Sequence, residues 1–205
     1  MPSPVPPPDD KPIRAFLSQK AWGTWLATHH TKSSGLWMRL MKKASGKKSV
    51  TYDEAVEEAL CHGWIDGQKR SYDEVSWLQK FTPRGKKSVW SKINKGKIAA
   101  LTKAGKVKPE GLKAVAAAKA DGRWAKAYDS QTYSSVPKDF EELLGKHPKA
   151  AAFFKTIKSA SRYAILYRLQ TAKKPETRAR KMREFVAMLD KGEAPHLFKP
   201  KAGPK

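Results

Sequence analysis

The spacing of apolar residues along the first part of the chain predicts two helices separated by a strand. A helix is predicted around Phe16–His29 and a strand at Leu36–Met41, where apolar residues run almost without interruption. The next helix begins after Thr51, which has capping-box spacing to Glu54, so that hydroxyl and carboxylate would satisfy opposite amides of the first turn. Apolar residues follow at helical spacing until Gly63, a residue typical of helix ends.

A β-hairpin is predicted directly after this helix, because two runs of alternating residues flank a short polar segment. Its strands are Gly63–Ser71 and Val75–Pro83, joined by a turn at residues 72–74. Alternation would place four side chains on one face of the first strand: Trp64, Asp66, Gln68 and Arg70. A turn at Asp66-Gly67 is the competing interpretation, and it would shorten that strand.

Helical spacing dominates after Arg84, with a serine or proline at the start of each helix and a glycine near most ends. The predicted helices cover residues 88–104, 109–121, 138–144, a stretch from 148, a stretch from 159 or 161, and 175–192. The chain is therefore predicted to be α+β, predominantly helical with a small antiparallel sheet made of a β-hairpin plus one strand.

The predicted elements divide the chain into four segments. Residues 1–12 would be a disordered proline-rich tail, 13–130 the α+β part, 137–195 a helical module and 196–205 a basic tail. The first residues have neither the basic start nor the apolar stretch of a secretory signal, and no apolar run approaches the roughly 20 residues of a membrane-spanning helix. We therefore expect an intracellular protein without a membrane span, cytoplasmic or, in a eukaryote, nuclear. The single cysteine, Cys61, leaves no intrachain disulfide and fits a reducing compartment.

A formal net charge of +23 predicts association with polyanions. The basic residues concentrate in two helical stretches: residues 84–126 hold thirteen lysines and arginines against two acids, and residues 146–183 hold twelve against one. Such stretches can hold a phosphate backbone without sequence preference and with a steep dependence on salt. A small anionic ligand and nucleic acid are therefore candidate partners. The competing interpretation is a solubilising surface, and the pattern names no partner protein.

Asn94 is a polar residue that helical spacing turns toward the interior. It lies four residues after Trp90 and seven before Leu101, on the apolar side of the predicted 88–104 helix. A buried amide needs partners for its donor and its acceptor end. Asn94 would therefore contact a ligand or hold a neighbouring loop in place.

Arg178 begins on the apolar side of the last predicted helix, because it precedes Met182 by four residues. A guanidinium cannot lose its charge, so it must pair with a carboxylate, with carbonyls or with an anionic ligand. Asp66 and, less strongly, Glu176 are the protein partners considered. An internal arginine–aspartate tie is the competing interpretation to ligand binding.

Asp66 and His62 are the candidate catalytic residues, since a carboxylate and an imidazole can act as base and acid. His62 would equally serve as a cation at the end of the preceding helix, where it favours the helix dipole. The sequence lacks phosphate-loop, dinucleotide-binding, paired-histidine and nucleophile-elbow motifs. The five histidines have no zinc-site spacing, so neither a metal nor a cofactor is predicted.

Five segments resemble the successive motifs of the YdeI/OmpD-associated family, also called the bacteriocin-protection family. They are Ala59–Gly67, Phe81–Arg84, Ser88–Asn94, Asp121–Trp124 with Tyr128, and Ala172–Arg178. The resemblance extends from about Ala15 to Pro195, and residues 137–195 resemble the helical module that carries the family name. Val107 departs from it, because the family often has methionine at this position.

The resemblance implies that seven residues form one ligand-binding site: Trp64, Asp66, Arg84, Trp90, Lys92, Asn94 and Arg178. Their aromatic and cationic side chains would form a pocket for an anionic ligand. The expected function is non-enzymatic binding in a setting of stress or antimicrobial-peptide resistance. Two alternatives stay open: an enzyme acting on a small anionic substrate with Asp66 or His62 as base, and a nonspecific nucleic-acid binder.

Overall fold

The computed structural model of the chain describes residue 7 and residues 9–195. Most of the predicted proline-rich tail (residues 1–6 and 8) and the whole predicted basic tail, residues 196–205, lie outside the described residues. The described chain packs as two units. The first runs up to Ser88 and resumes at Asn94–Ala125, and the second consists of Val89–Ile93 and the residues from Lys126 onward.

The first unit contains a mixed sheet, formed by β1 (Ile13–Ala15), β2 (Leu36–Met41), β3 (Trp64–Ser71) and β4 (Ser76–Pro83) in the order β1-β2-β4-β3. β2, β4 and β3 pair antiparallel, as predicted, and β1 pairs parallel to β2. The predicted α+β class with predominant helix is confirmed, but the purely antiparallel sheet is wrong by one strand. β1 has only three residues, too few to give a period-two pattern in the sequence.

The hairpin contains a bulge that changes which side chains share a face. Between Asp66 and Lys69, β3 carries one extra residue relative to β4. One extra residue moves every later side chain of a strand to the opposite face. Lys69 therefore returns to the face of Asp66, and its ammonium lies 4.3 Å from the ring centroid of Trp77. The prediction that this face continues with Gln68 and Arg70 is wrong from the bulge onward.

Two helices pack beside this sheet, α1 (Gln19–His29) and α2 (Tyr52–Cys61). α1 begins three residues later than predicted because the Ser18 side chain accepts a hydrogen bond from the Ala21 amide. The predicted capping box of α2 is confirmed, with both reciprocal hydrogen bonds between Thr51 and Glu54 present.

Large aromatic side chains form the centre of the first unit. Trp22 of α1 lies with its ring centroid 6.0 Å from Trp64 and 5.6 Å from Phe81, and all three are buried. The Trp22 indole donates to the carbonyl of Ala55 in α2 at 3.1 Å, so its polar atom is satisfied inside the core. These contacts fix α1 and α2 against the hairpin.

The helix predicted to begin at Ser88 begins four residues later, as α3 (Lys92–Lys103). The Ser88 hydroxyl instead accepts a hydrogen bond from the Gly85 amide at 3.0 Å and closes a turn. Trp90 therefore precedes the helix, and Ile93, predicted on the apolar stripe, is 46% exposed. The buried residues of α3 are Asn94, Ile98 and Leu101, which agrees with the inward direction predicted for Asn94.

α4 (Pro109–Ala120) follows α3, and its proline occupies the first turn, as predicted. Its contact with the end of α2 is unusually close. A Cβ built on Gly111 would lie 2.4 Å from the Cys61 carbonyl oxygen, so only glycine fits there. The helices approach each other backbone to backbone at this point.

The second unit contains α5 (Lys138–Gly145), α6 (Pro148–Thr156), α7 (Ser159–Gln170) and α8 (Pro175–Asp190). Their apolar sides form one core, which includes Phe140, Leu144, Phe154, Ile165, Leu166, Leu169, Phe185, Val186 and Leu189. Asp190 at the end of α8 accepts a hydrogen bond from the Ala150 amide in the first turn of α6 at 3.0 Å. None of the helices described in either unit is long and apolar enough to span a bilayer.

Candidate functional site: a basic cleft in the first unit

A cleft of about 370 Å³ opens between the segment after β4 and α4 with its C-terminal turn. Its lining belongs entirely to the first unit and consists of Arg84, Gly85, Lys86, Lys113, Ala114, Ala117, Asp121 and Arg123. The volume falls within the roughly 300–1,000 Å³ typical of small-molecule sites. Four of the eight lining residues are cations and one is a carboxylate, so the cleft is strongly positive.

Backbone hydrogen bonds hold the first wall of the cleft in place. The Arg84 amide donates to the Gly63 carbonyl at 3.0 Å, which ties the chain after β4 to the start of β3. The next residues form a tight turn, in which the Ser88 amide donates to the Gly85 carbonyl at 3.0 Å. Lys86 lies inside this turn and is exposed. A rigid turn thus presents a mobile ammonium at the edge of the cleft.

The second wall is one side of α4 together with its C-terminal turn. Lys113, Ala114 and Ala117 lie three to four residues apart or adjacent, so they share this side of the helix. Because the alanine side chains are small, they leave room for the cleft beside the helix. Gly122 then adopts a φ of 77°, which lets the chain reverse direction at the helix end.

Arg123 is fixed by contacts on both sides of the cleft. Its Nε donates to both carboxylate oxygens of Asp121, at 2.8 and 2.7 Å, and its Nη1 donates to the Ser88 carbonyl at 2.8 Å. The side chain is 14% exposed. Arg123 therefore joins the C-terminal turn of α4 to the turn after β4 and keeps the two walls at a set separation.

Lys86 and Lys113 differ from the arginines in having no partner among residues 9–195: neither makes an ion pair or a side-chain hydrogen bond there. Both are exposed. Two ammonium groups without a protein partner thus border the same cleft as Arg84 and Arg123. This arrangement suits a ligand that carries several negative charges.

Of the residues predicted to form the site, Arg84 lines this cleft and the other predicted residues of the first unit do not. Trp64 is buried in the aromatic core, and its indole donates to the His30 carbonyl at 3.1 Å. Asp66 accepts a hydrogen bond from the Tyr52 hydroxyl at 2.7 Å. Asn94 is buried on α3.

Two of the three predicted residues of the second unit, Lys92 and Arg178, are held by carboxylates. Lys92 forms an ion pair with Asp129 at 2.7 Å, and Trp90 is buried with its carbonyl accepting from the Tyr128 amide at 3.0 Å. The Arg178 guanidinium donates to both carboxylate oxygens of Asp139, at 2.8 and 2.9 Å.

Arg178 also donates to the Leu169 carbonyl at 2.6 Å. The structure therefore gives Arg178 an internal arginine–aspartate tie, with Asp139 as partner in place of the Asp66 or Glu176 considered from sequence. This guanidinium holds the pKa of the Asp139 carboxyl below its usual range. The convergence of all seven predicted residues in one site stays a prediction.

His62 is placed for a structural role at the end of α2. It is buried, and its Nε2 lies 3.5 Å from the Glu58 carboxylate one turn earlier. The hydrogen bond from His62 lowers the pKa of Glu58. Next to it, burial raises the pKa of the Cys61 thiol to about 11, which keeps the thiol protonated and unreactive at neutral pH. In the described residues, no group of three or more His, Cys, Asp or Glu side chains is placed to hold a metal ion.

Sequence reasoning missed Lys86, Lys113 and Arg123 as site residues. The signal available was the density of basic residues between Arg84 and Lys126, and it did not say which of them meet. Arg123 lies in a segment that resembles a family motif, but its role emerges only from its hydrogen bonds to Asp121 and Ser88. Lys113 can be identified as a site residue only when the side of α4 that faces the turn after β4 is known.

Two family models match the chain in separate regions. Residues 14–114 match a domain of unknown function, DUF8412, and residues 133–192 match the family described as Bacteriocin-protection, YdeI or OmpD-Associated. No curated protein and no solved structure matches the chain. The motifs up to Asn94 thus fall within a model different from the one that carries the family name. The resemblance inferred from sequence is confirmed over residues 133–192, where the chain matches the model of the Bacteriocin-protection, YdeI or OmpD-Associated family.

Proposed function

We propose that the chain is a non-enzymatic binding protein of the YdeI/OmpD-associated type that holds an anionic ligand in the basic cleft of its first unit. The observation that carries the proposal is the pair of partnerless lysines, Lys86 and Lys113, facing the same cavity as Arg84 and Arg123. Like charges that line one cleft repel each other when the cleft holds only water. A bound anion would remove that repulsion and stabilise the fold.

Binding fits this cleft better than catalysis, because its one carboxylate is already engaged. Asp121 accepts from Arg123 through both oxygens, so the carboxylate is already engaged by a fixed cation. The two candidate bases from the sequence have other partners: Asp66 accepts from Tyr52, and His62 lies beside Glu58. The sequence predicted a pocket with aromatic and cationic side chains. The lining residues carry no aromatic ring, so the proposed pocket is cationic only.

The family description supports a protective setting for this binding. Residues 133–192 match a family described by bacteriocin protection, and we extend this to a role in stress or antimicrobial-peptide resistance. The ligand site lies in the first unit and the matched domain in the second. The proposal therefore assigns ligand binding and the family-typical role to different parts of the chain.

Thermal unfolding of the full chain with a panel of phosphates, nucleotides and carboxylates tests the proposal. An anion bound in the cleft should stabilise the chain by about 2.7 kcal/mol at a hundredfold excess over its dissociation constant. Lys86→Gln and Lys113→Gln should each reduce this stabilisation. Lys103→Gln, an exposed lysine of α3 outside the cleft, removes the same charge and should leave it unchanged. If every anion stabilises Lys113→Gln as much as the wild type, the cleft is not the site.

A further inference from the structure

We infer that the anion bound in the basic cleft is an oligophosphate, a chain of two or more linked phosphate groups recognised without regard to what the chain is attached to. The inference rests on the proposed anion-binding function and adds the chemical class of the ligand. Four features of the cleft carry it: its charge, its volume, the kind of cation at its edge, and the absence of an open aromatic ring.

The charge of the lining exceeds what one phosphate can neutralise. Four cations and one carboxylate line the cleft, which gives its lining a formal net charge of +3. A single phosphate group carries about −1.5 to −2 at neutral pH. Two or three linked phosphates carry enough charge to match that of the lining, and they spread it along the cleft.

The volume agrees with this charge count. A cleft of about 370 Å³ is larger than ten water molecules at about 30 Å³ each. One phosphate ion would leave most of this space to solvent. A chain of phosphates would reach Lys86 and Lys113, which lie on the two different walls.

The cations at the open edge favour phosphate over carboxylate. Lysine ammonium groups act as point charges and need no planar partner, whereas the bidentate fork of arginine suits carboxylates and phosphates alike. Each phosphate group also offers up to three acceptor oxygens in a compact volume. A mobile ammonium can bind any of these oxygens.

The helix dipole opposes an anion here, but it is the weaker effect. The cleft extends from the middle of α4 to its C-terminal turn, toward which the dipole is negative. Such a dipole contributes about 0.3–1 kcal/mol and falls off within a turn. The last carbonyls are also capped, since the Asp121 and Trp124 amides donate to Ala117 and Ala118 at 3.2 and 2.9 Å. Four cations therefore outweigh the dipole.

The described lining of the cleft contains no aromatic ring on which a nucleobase could stack. The walls between the cations are Gly85, Ala114 and Ala117, which cannot stack on a base. Trp124, the ring next to Arg123 in sequence, has the ammonium groups of Lys95 and Lys119 over it, at 5.0 and 5.8 Å from the ring centroid. The phosphate chain thus supplies the recognition, and base identity should not matter.

Calorimetric titration of the full chain in magnesium-free buffer tests this, with inorganic phosphate, pyrophosphate, tripolyphosphate, ATP, GTP and citrate as probes. Affinity should rise at least about tenfold from phosphate to pyrophosphate and again to tripolyphosphate, each step being about 1.4 kcal/mol. ATP and GTP should bind alike, and citrate should bind at least about tenfold more weakly than tripolyphosphate. Lys86→Gln and Lys113→Gln should each weaken tripolyphosphate binding about tenfold, and Lys103→Gln should not.

The outcomes separate the two proposals. If citrate binds as tightly as tripolyphosphate, or if ATP and GTP differ by more than about tenfold, the oligophosphate inference is overturned while the anion-binding function stands. If no probe binds, or if binding ignores both Lys86→Gln and Lys113→Gln, the proposed function fails together with the inference.

Discussion

Arg178 shows how a charged residue on the apolar side of a helix is accommodated without a ligand. Its guanidinium donates to both oxygens of Asp139 and to the Leu169 carbonyl, so α8 is tied to α5 and to the end of α7. A guanidinium paired in this way can remain partly buried, because the carboxylate and the carbonyl offset part of its desolvation cost. The requirement for a partner could be predicted from sequence, but the identity of the partner depends on how α5 packs.

Asp139→Asn should destabilise the second unit in a pH-dependent manner. At neutral pH we expect the free energy of unfolding to fall by about 1–2 kcal/mol. This is at the lower end for a charged hydrogen bond, because solvent screens the Asp139 side chain, which is 50% exposed. Arg178 lowers the pKa of Asp139 in the fold, so the stability from this pair is complete above the unfolded pKa of about 3.9. It is lost as the pH falls through the lower, folded pKa. The difference from wild type should therefore shrink as the pH falls below about 4, measured by urea unfolding followed by far-UV circular dichroism.

The same helix provides a control for this prediction. Arg180 pairs with Glu184 one turn later, and both side chains are more than half exposed. Glu184→Gln should change stability by less than about 0.5 kcal/mol, as is usual for surface pairs at this spacing. An Asp139→Asn effect that is no larger than this, or that grows as the pH falls, would contradict the assignment.

At the scale of elements, the contact between α2 and α4 positions the basic cleft. Gly111 of α4 lies against the Cys61 and Leu60 carbonyls, and a Cβ there would come within 2.4 and 2.9 Å of them. Backbone atoms cannot move aside as a flexible side chain can. Lys113 lies two residues further along α4, so the angle at which α4 leaves this contact decides whether Lys113 reaches the cleft.

Gly111→Ala should therefore destabilise the first unit by about 1–3 kcal/mol, the usual cost of overpacking. Gly96→Ala is the matched control, because Gly96 lies in α3 with nothing within 4 Å of an added Cβ. That change should stabilise by up to about 1 kcal/mol through helix propensity and a less flexible unfolded chain. Tryptophan fluorescence during urea unfolding is a suitable measure, since Trp90 is the one tryptophan of seven that belongs to the second unit. Equal effects of the two substitutions would show that the close contact does not hold in solution.

Elements with strong local signals were predicted correctly, whereas two features that depend on distant contacts, β1 and the start of α3, were not. The capping box at Thr51 and the proline at the start of α4 act within one helical turn, so the sequence alone reveals them. β1 forms because β2 provides a parallel neighbour. The late start of α3 reflects backbone pairing of Ser91 with Tyr128, more than 30 residues away. No local pattern contains these partners.

At the scale of the whole molecule, the positive charge does two separable things. A net charge of +23 attracts polyanions over about 8 Å at physiological salt, wherever the charges lie. The basic cleft is a property of four particular cations on two walls. Arg84 could be predicted as a site residue because it lies in a distinctive motif. Lys86 and Lys113 could not, because in sequence they resemble the other lysines.

If the basic stretches also bind nucleic acid, affinity for duplex DNA should fall steeply with salt, with log K decreasing about 0.9 per phosphate neutralised for each tenfold rise in salt. Replacing Lys173, Lys174, Arg180 and Lys181 by glutamine should reduce the slope and the affinity, because these positions lie off the buried side of α8 or before it. The double variant Lys86→Gln with Lys113→Gln should lose tripolyphosphate binding and keep most of the DNA binding. Fluorescence titration of a labelled duplex at several salt concentrations measures the salt dependence of DNA affinity for the wild type and for each variant. A flat salt profile, or no retention on heparin at low salt, would reject nucleic-acid binding through these stretches and leave the cleft as the anion site of the chain.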